Sequence, residues 1–460
     1  MKLNNKESFR ELPFRTDYFT KAIEAIKIFG LLIDTIMYKN KNLLIILFFL
    51  VAFLANAQYQ TTPNKKGKGY YTNPIFGGDH PDPSILRDGD DYYVVHSSFE
   101  YYPGLLIWHS KDLINWEPVT HALHKYIGSV WAPDLVIYNN KYYIYFPANN
   151  EIYVVVADSI NGPWSEPVNL KINSIDPGHV VDENGKRYLY SASGGYVALS
   201  DDGLSVISET KHVYDGWPIP REWSIMFHAY ENGFYNMGRQ TLLLPIEWTK
   251  DGWYKVPEGI SDTKPVKKAD LTVSNINSTF IDNFKGNKLS PQWSFFKEYN
   301  TNRFQVDSNS VVIKAKGNSV GSCSPLLYTP SNHSYTAEVE LFIEGNAIGG
   351  FTLFYNNSAY SGLLADKSNI LANINGWQFP TEKDVLKGHV YLRMKNINNT
   401  VDLYYSMNGN DWIKLENSLE ISGFHHNAFG GFLGVKIGLC SIGEGTVKFK
   451  NFKYIPITNP

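Results

Sequence analysis

The apolar and polar positions of this chain recur in short phrases rather than in helical stripes. From Gln58 onward no segment sustains a 3.6-residue period; brief apolar runs alternate with Asx/Gly turns and aromatic runs. Ser84-Ile85-Leu86 is followed by Tyr92-Tyr93-Val94-Val95. Leu135-Val136-Ile137 leads through Asn139-Asn140 to Tyr142-Tyr143-Ile144-Tyr145, and Val180-Val181 through Asn184-Gly185 to Tyr188-Leu189. Each phrase opens on an aspartate beside a proline: Asp82 between Pro81 and Pro83, Asp134 after Pro133, Asp176 before Pro177. A second phrase recurs between them, from Trp108 to Trp116 and from Ala157 to Trp164. The spacing, roughly fifty residues, is that of propeller blades built from four-stranded sheets. Equivalent inner strands of a propeller meet at one axis, so Asp82, Asp134 and Asp176 are expected to converge. The flanking prolines predict an extended backbone at Asp82, fixing its carboxylate in one direction as a catalytic base requires.

From about Thr279 the Asp-Pro phrase stops. Alternating runs such as Val311–Ala315, Tyr335–Leu341 and Val401–Tyr405, separated by Gly345-Asn346 and Asn408-Gly409, predict an antiparallel sandwich. The expected organisation is all-β: a propeller over residues 70–260, a linker over 261–278 and a jelly-roll or concanavalin-like β-sandwich over 279–460.

Composition narrows the partners. A net charge of −3 over 460 residues excludes the basic surface that nucleic acid or an anionic membrane selects. Aromatics make up 15% of the chain, with 31 Tyr and 11 Trp, and such faces stack on sugar rings. At the N-terminus Lys39 and Lys41 precede an apolar run from Leu43 to Leu54, then Ala55-Asn56-Ala57. That order predicts a cleaved signal over 37–57, a start at Met37 with 1–36 as an extension, and a linker over 58–69. The expected location is secreted or periplasmic, with no stable membrane span after cleavage. Cys323 and Cys440 either pair or stay buried and free; neither belongs to a zinc-site spacing.

With His80-Pro81-Asp82-Pro83-Ser84, Trp131-Ala132-Pro133-Asp134, Ile175-Asp176-Pro177 and a run from Gly238-Arg239-Gln240 through Glu247-Trp248 to Trp253, the chain resembles glycoside hydrolase family 43. Its second half resembles the sandwich that follows the propeller in the family's β-xylosidases. The resemblance implies a five-bladed propeller that hydrolyses xylose- or arabinose-containing polysaccharides or oligosaccharides with inversion. Carried over, Asp82 matches the general base, and Asp176 the aspartate that orients the acid and tunes its pKa. Phe99 and Trp131 match subsite aromatics, and Arg239 the arginine that reaches the sugar. Asp134 joins the substrate-binding residues by its place in the repeat. No cofactor is required and no metal ligand is assigned; a calcium ion on the axis is left open.

One departure matters. The family's acid is a glutamate on the next inner strand, and here that position falls near Ile225. The pattern jumps at Ser224, so roughly one to one and a half blades are missing and the propeller is shortened. Glu222 and Glu231 are the surrogate acids to weigh, against a solvated role for Glu222 beside Arg221. The alternative function is a pseudoenzyme that binds glycans without cleaving them.

Overall fold

The computed structural model describes residues 69–458 apart from 193, 213–223, 269–277, 299 and 384–385. The signal expected over 37–57 and Glu222 lie outside the described residues. Among the described residues no helix is long and apolar enough to cross a membrane.

Strand β1 (Tyr70–Tyr71) pairs with Val266–Lys267. The stretch read as a linker therefore contains a strand that ties the end of the first half to its beginning. Next come β2 (Ser84–Asp88), β3 (Asp91–Val95), β4 (Tyr101–Tyr102), β5 (Gly104–Ser110) and β6 (Glu117–Leu123). The second group is β7 (Asp134–Tyr138), β8 (Lys141–Ala148), β9 (Glu151–Ala157) and β10 (Val168–Asn169). The third is β11 (Gly178–Val181), β12 (Arg187–Tyr190), β13 (Gly195–Ala198) and β14 (Lys211–His212). Three four-stranded antiparallel meanders result, β2-β3-β5-β6, β7 to β10 and β11 to β14. The described chain then continues as a two-stranded hairpin, β15 (Ser224–Tyr230) with β16 (Arg239–Pro245).

Local chemistry sets these hairpins. Asn139 and Asn140 take φ of 48° and 59°, and Asn149 and Asn150 take 51° and 63°. Two successive left-handed residues make the tight turn that matches strand twist, and asparagine tolerates them best among side-chain-bearing residues. The meanders meet through their first strands. The Ser84 hydroxyl accepts the Leu135 N–H at 2.9 Å, and Asp134 Oδ2 accepts the His179 N–H at 2.6 Å. The inner strands therefore lie side by side, as the repeat required.

In the second half two long strands, Ser334–Asn356 and Lys436–Pro456, pair antiparallel over most of their length. Trp293, Phe351, Phe354, Phe449 and Phe452 fill the core beneath them. Cys323 and Cys440 are both buried and both free.

The boundary between the halves is not a tether. Strand β4 leaves the first sheet and pairs with the sandwich, Tyr102 opposite Phe295 and Tyr101 opposite Phe296. Phe99 and Tyr101 are buried in the sandwich core, and Trp131 packs against it. A cavity of about 590 Å³ lies along this seam, with Phe76, Trp108, Trp116, Phe280 and Lys436 among its walls.

Candidate active site

The segment before β2 runs along β16 and fixes where Asp82 sits. Ile75 N–H donates to Thr241 O at 3.0 Å, and His80 N–H to Arg239 O at 2.9 Å. Thr241 Oγ1 donates to His80 O at 2.6 Å. Asp82 thereby faces Arg239, although 157 positions separate them in sequence.

The Asp82 backbone is not extended: its φ is +54°. Asp176 has φ +52° and Phe99 φ +44°. Left-handed backbone at a residue other than glycine costs on the order of 1–3 kcal/mol and persists only where surrounding contacts over-determine it. At Asp82 those contacts are visible. Its N–H donates to His228 Nδ1 at 2.8 Å. Oδ2 accepts the Ser97 hydroxyl at 2.5 Å, and Oδ1 accepts Arg239 Nη1 at 3.1 Å. The local proline argument for an extended residue loses to these long-range bonds.

His228 accepts at Nδ1, so its ring proton lies on Nε2. Burial lowers its pKa; the Asp82 charge opposes this and the Arg239 charge adds to it. The ring is a neutral prop under the aspartate rather than its counter-ion. The counter-ion is Arg239, whose guanidinium lies 5.5 Å from the Phe99 ring centre and 5.3 Å from that of Phe432. One ring comes from the propeller and the other from the sandwich. Cation–π contact on two sides holds the guanidinium in place while Nη1 stays on Asp82.

Asp176 completes the cluster. Its carboxyl is raised above the ordinary range, first by burial and then by the Asp82 charge. Two carboxylates that feel each other in a partly dry site cannot both ionise freely, so Asp176 keeps its proton to higher pH. Asp134 is near but spent on structure, since it caps the His179 N–H. Burial pushes Asp134 up to about 6, with that N–H pulling the other way.

The Asp134 shift has a sign that can be checked. The unfolded chain releases this proton near pH 4 and the folded chain near 6, so stability falls as pH rises between them. Asp134→Asn keeps the acceptor for His179 and removes the charge. We expect it to stabilise the protein at pH 7 by up to about 3 kcal/mol and to change little at pH 4 or below, read from thermal unfolding at the two pH values.

Trp131 is partly buried, its indole N–H donating to Ser129 Oγ at 2.9 Å. Glu231, weighed above as a surrogate acid, is bonded to two side chains. His333 at 2.8 Å and Gln240 at 2.9 Å bond its Oε2, and these bonds outweigh burial to hold its carboxyl low. Among the described residues no three His, Cys, Asp or Glu gather as a metal set. His228, Ser97 and Phe432 were not singled out from the sequence. His228 lies in β15 and Ser97 just after β3, whereas Phe432 follows Gly430-Gly431 with no periodic signal.

Two family models match the chain. Residues 71–222 match Glycosyl hydrolases family 43, and 281–455 match the Beta xylosidase C-terminal Concanavalin A-like domain. The chain belongs to glycoside hydrolase family 43. A β-xylosidase of Bacillus subtilis (strain 168) is 34% identical over 195 residues, which are 36% of each chain. A xylan 1,3-β-xylosidase of a Vibrio species is 41% identical over 143 residues, 27% of each. The matched segments thus span about a third or less of those two relatives. A xylosidase/arabinosidase of Butyrivibrio fibrisolvens is 22% identical across 81% of this chain and 96% of its own. Among solved structures, the GH43 BlXynB protein from Bacillus licheniformis superposes with a TM-score of 0.73 at 20% identity. It covers 84% of this chain and 100% of its own. The likeness shows that this family 43 chain shares the propeller-and-sandwich fold.

Proposed function

We propose that this chain is a secreted glycoside hydrolase of the xylosidase/arabinosidase type, cleaving pentose-containing glycans with inversion. One observation carries the reading: Asp82 is held in a left-handed backbone by His228, Ser97 and Arg239, yet its side chain stays 18% exposed. A carboxylate so fixed, and still reached by solvent, can take a proton from a water that attacks the anomeric carbon. Arg239 between Phe99 and Phe432 supplies donors toward sugar hydroxyls, and the aromatic rings supply faces for the pyranose or furanose. The named relatives that act on xylosides and arabinosides support the pentose class. The basic and apolar order over 37–57 supports export.

The test is hydrolysis of aryl β-xyloside and aryl α-arabinofuranoside by protein starting at Gln58, with NMR of the first-formed sugar. Release of the inverted anomer is expected. A protein that melts cooperatively and cleaves neither substrate would overturn the reading and leave glycan binding without catalysis. Retention of configuration would overturn the assignment of Asp82 as base rather than nucleophile.

A further inference from the structure

The cavity of about 590 Å³ along the seam has no part in the catalytic reading. Asp82, Asp176 and Arg239 are not among its walls, and its volume lies in the range of about 300–1,000 Å³ usual for small-molecule sites. Lys111 and Glu117 line it with side chains 64% and 76% exposed, so the cavity opens to solvent on that side. Phe76, Trp108, Trp116 and Phe280 give it apolar walls.

Three polar groups from one stretch of chain line this cavity without partners. His96 is 5% exposed and Tyr101 8%. His96 Nδ1, Tyr101 Oη and Ser98 Oγ are buried atoms with no hydrogen-bond partner among the described residues. The His96 tautomer follows from its neighbours. Thr241 Oγ1 donates its single proton to His80 O at 2.6 Å, so at 3.1 Å it accepts from His96 Nε2. Burial keeps the imidazole neutral, which leaves Nδ1 as a bare acceptor. Tyr101 Oη and Ser98 Oγ can each donate and accept. Such groups are costly to leave unpaired once buried.

This set of groups selects its guest. An apolar molecule would leave all three unpaired. An inorganic anion would meet the His96 lone pair and the Asp79 side chain, and the buried cation in the wall, Lys436, already donates to Thr329 Oγ1 at 2.6 Å. A neutral molecule with several hydroxyls donates to Nδ1, exchanges hydrogen bonds with Tyr101 and Ser98, and lays its C–H faces on the aromatic rings. We propose that the seam cavity is a second sugar-binding site, taking a neutral pentose with His96, Ser98 and Tyr101 as its polar contacts. The choice of a pentose rests on the functional reading above; the choice of a neutral, hydroxyl-rich guest does not. Ser97 also lines the cavity while it donates to Asp82 Oδ2, so the two sites lie back to back across one residue.

Two variants tell the sites apart. Titration calorimetry of the intact protein with xylose and with arabinose is expected to give two pentose sites per chain. Arg239→Ala should remove the catalytic one and keep the other. Tyr101→Phe should keep the catalytic one and weaken the other about tenfold. Phenylalanine retains the ring that faces the Lys436 ammonium and removes only an unpartnered hydroxyl, so Tm without sugar should not fall. One pentose per chain, lost in Arg239→Ala and unchanged in Tyr101→Phe, would overturn the proposal, as would tighter binding of sulfate than of pentose at the seam. In crystals soaked with xylose, sugar hydroxyls are expected within hydrogen-bond distance of Tyr101 Oη and His96 Nδ1; water alone in the cavity overturns it. If the parent cleaves no pentoside while Arg239→Ala still binds one pentose, this site stands and only the functional reading falls.

Discussion

Asp82→Asn is expected to lower turnover of an aryl pentoside by about 10²–10⁴-fold while leaving KM within a few-fold. Asparagine is the informative replacement because it tolerates the left-handed backbone that Asp82 adopts at φ +54°. Its single amide oxygen can still accept the Arg239 N–H while its amide N–H donates to the Ser97 oxygen, so the site keeps its shape and loses its basicity. Alanine at the same position removes both acceptors, leaving Arg239 with two aromatic faces and no anion. It is expected to raise KM as well as to lower kcat. The comparison separates chemistry from positioning: similar kinetics in the two variants would mean that the carboxylate serves Arg239 and not the attacking water. A Tm within a few degrees of the parent is the control for folding, because the strain at this residue is already present before substitution.

How far the sequence disclosed this site depends on the range of the forces involved. The Asp-Pro phrases carried the placement of Asp82, Asp134 and Asp176, because hairpin turns and blade spacing are local properties repeated along the chain. The Ser84–Leu135 and Asp134–His179 bonds show the first strands side by side in that register. Local reasoning failed at the Asp82 backbone. Two prolines argue for extension, and a histidine 146 residues away overrules them. It failed again at the domain seam. Tyr101-Tyr102 reads as part of a blade, yet its strand neighbours are Phe295 and Phe296. His228 stood in plain view beyond the break at Ser224, since one histidine on a strand carries no signature until its partner is known. Phe432 could not be found at all by periodicity. It sits 57% exposed on a glycine-rich loop, and only the folded chain brings it to Arg239.

The second large effect concerns the leaving group. Among the described residues the Asp82 charge acts on the Asp176 carboxyl, and Glu231 is tied to His333. None of these three stands as the glutamate acid that the family pattern places near Ile225. Base-driven attack then works well only when the departing oxygen needs no proton. We expect a dinitrophenyl xyloside to be cleaved on the order of 10²–10⁴ times faster than an alkyl xyloside, beyond what an acid-assisted enzyme shows. Asp176 gives the sharper comparison. Burial and the Asp82 charge raise its carboxyl, and a raised carboxyl next to another carboxylate is the arrangement in which acid and base roles divide. If Asp176 donates the leaving-group proton, Asp176→Asn should slow the alkyl xyloside by the full acid contribution and leave the dinitrophenyl substrate within a few-fold. Equal losses on both substrates would place Asp176 in sugar binding or in holding Asp82. A flat response to leaving group in the parent enzyme would point to an acid supplied by residues 213–223, and Glu222→Gln is the variant that would then abolish the alkyl activity.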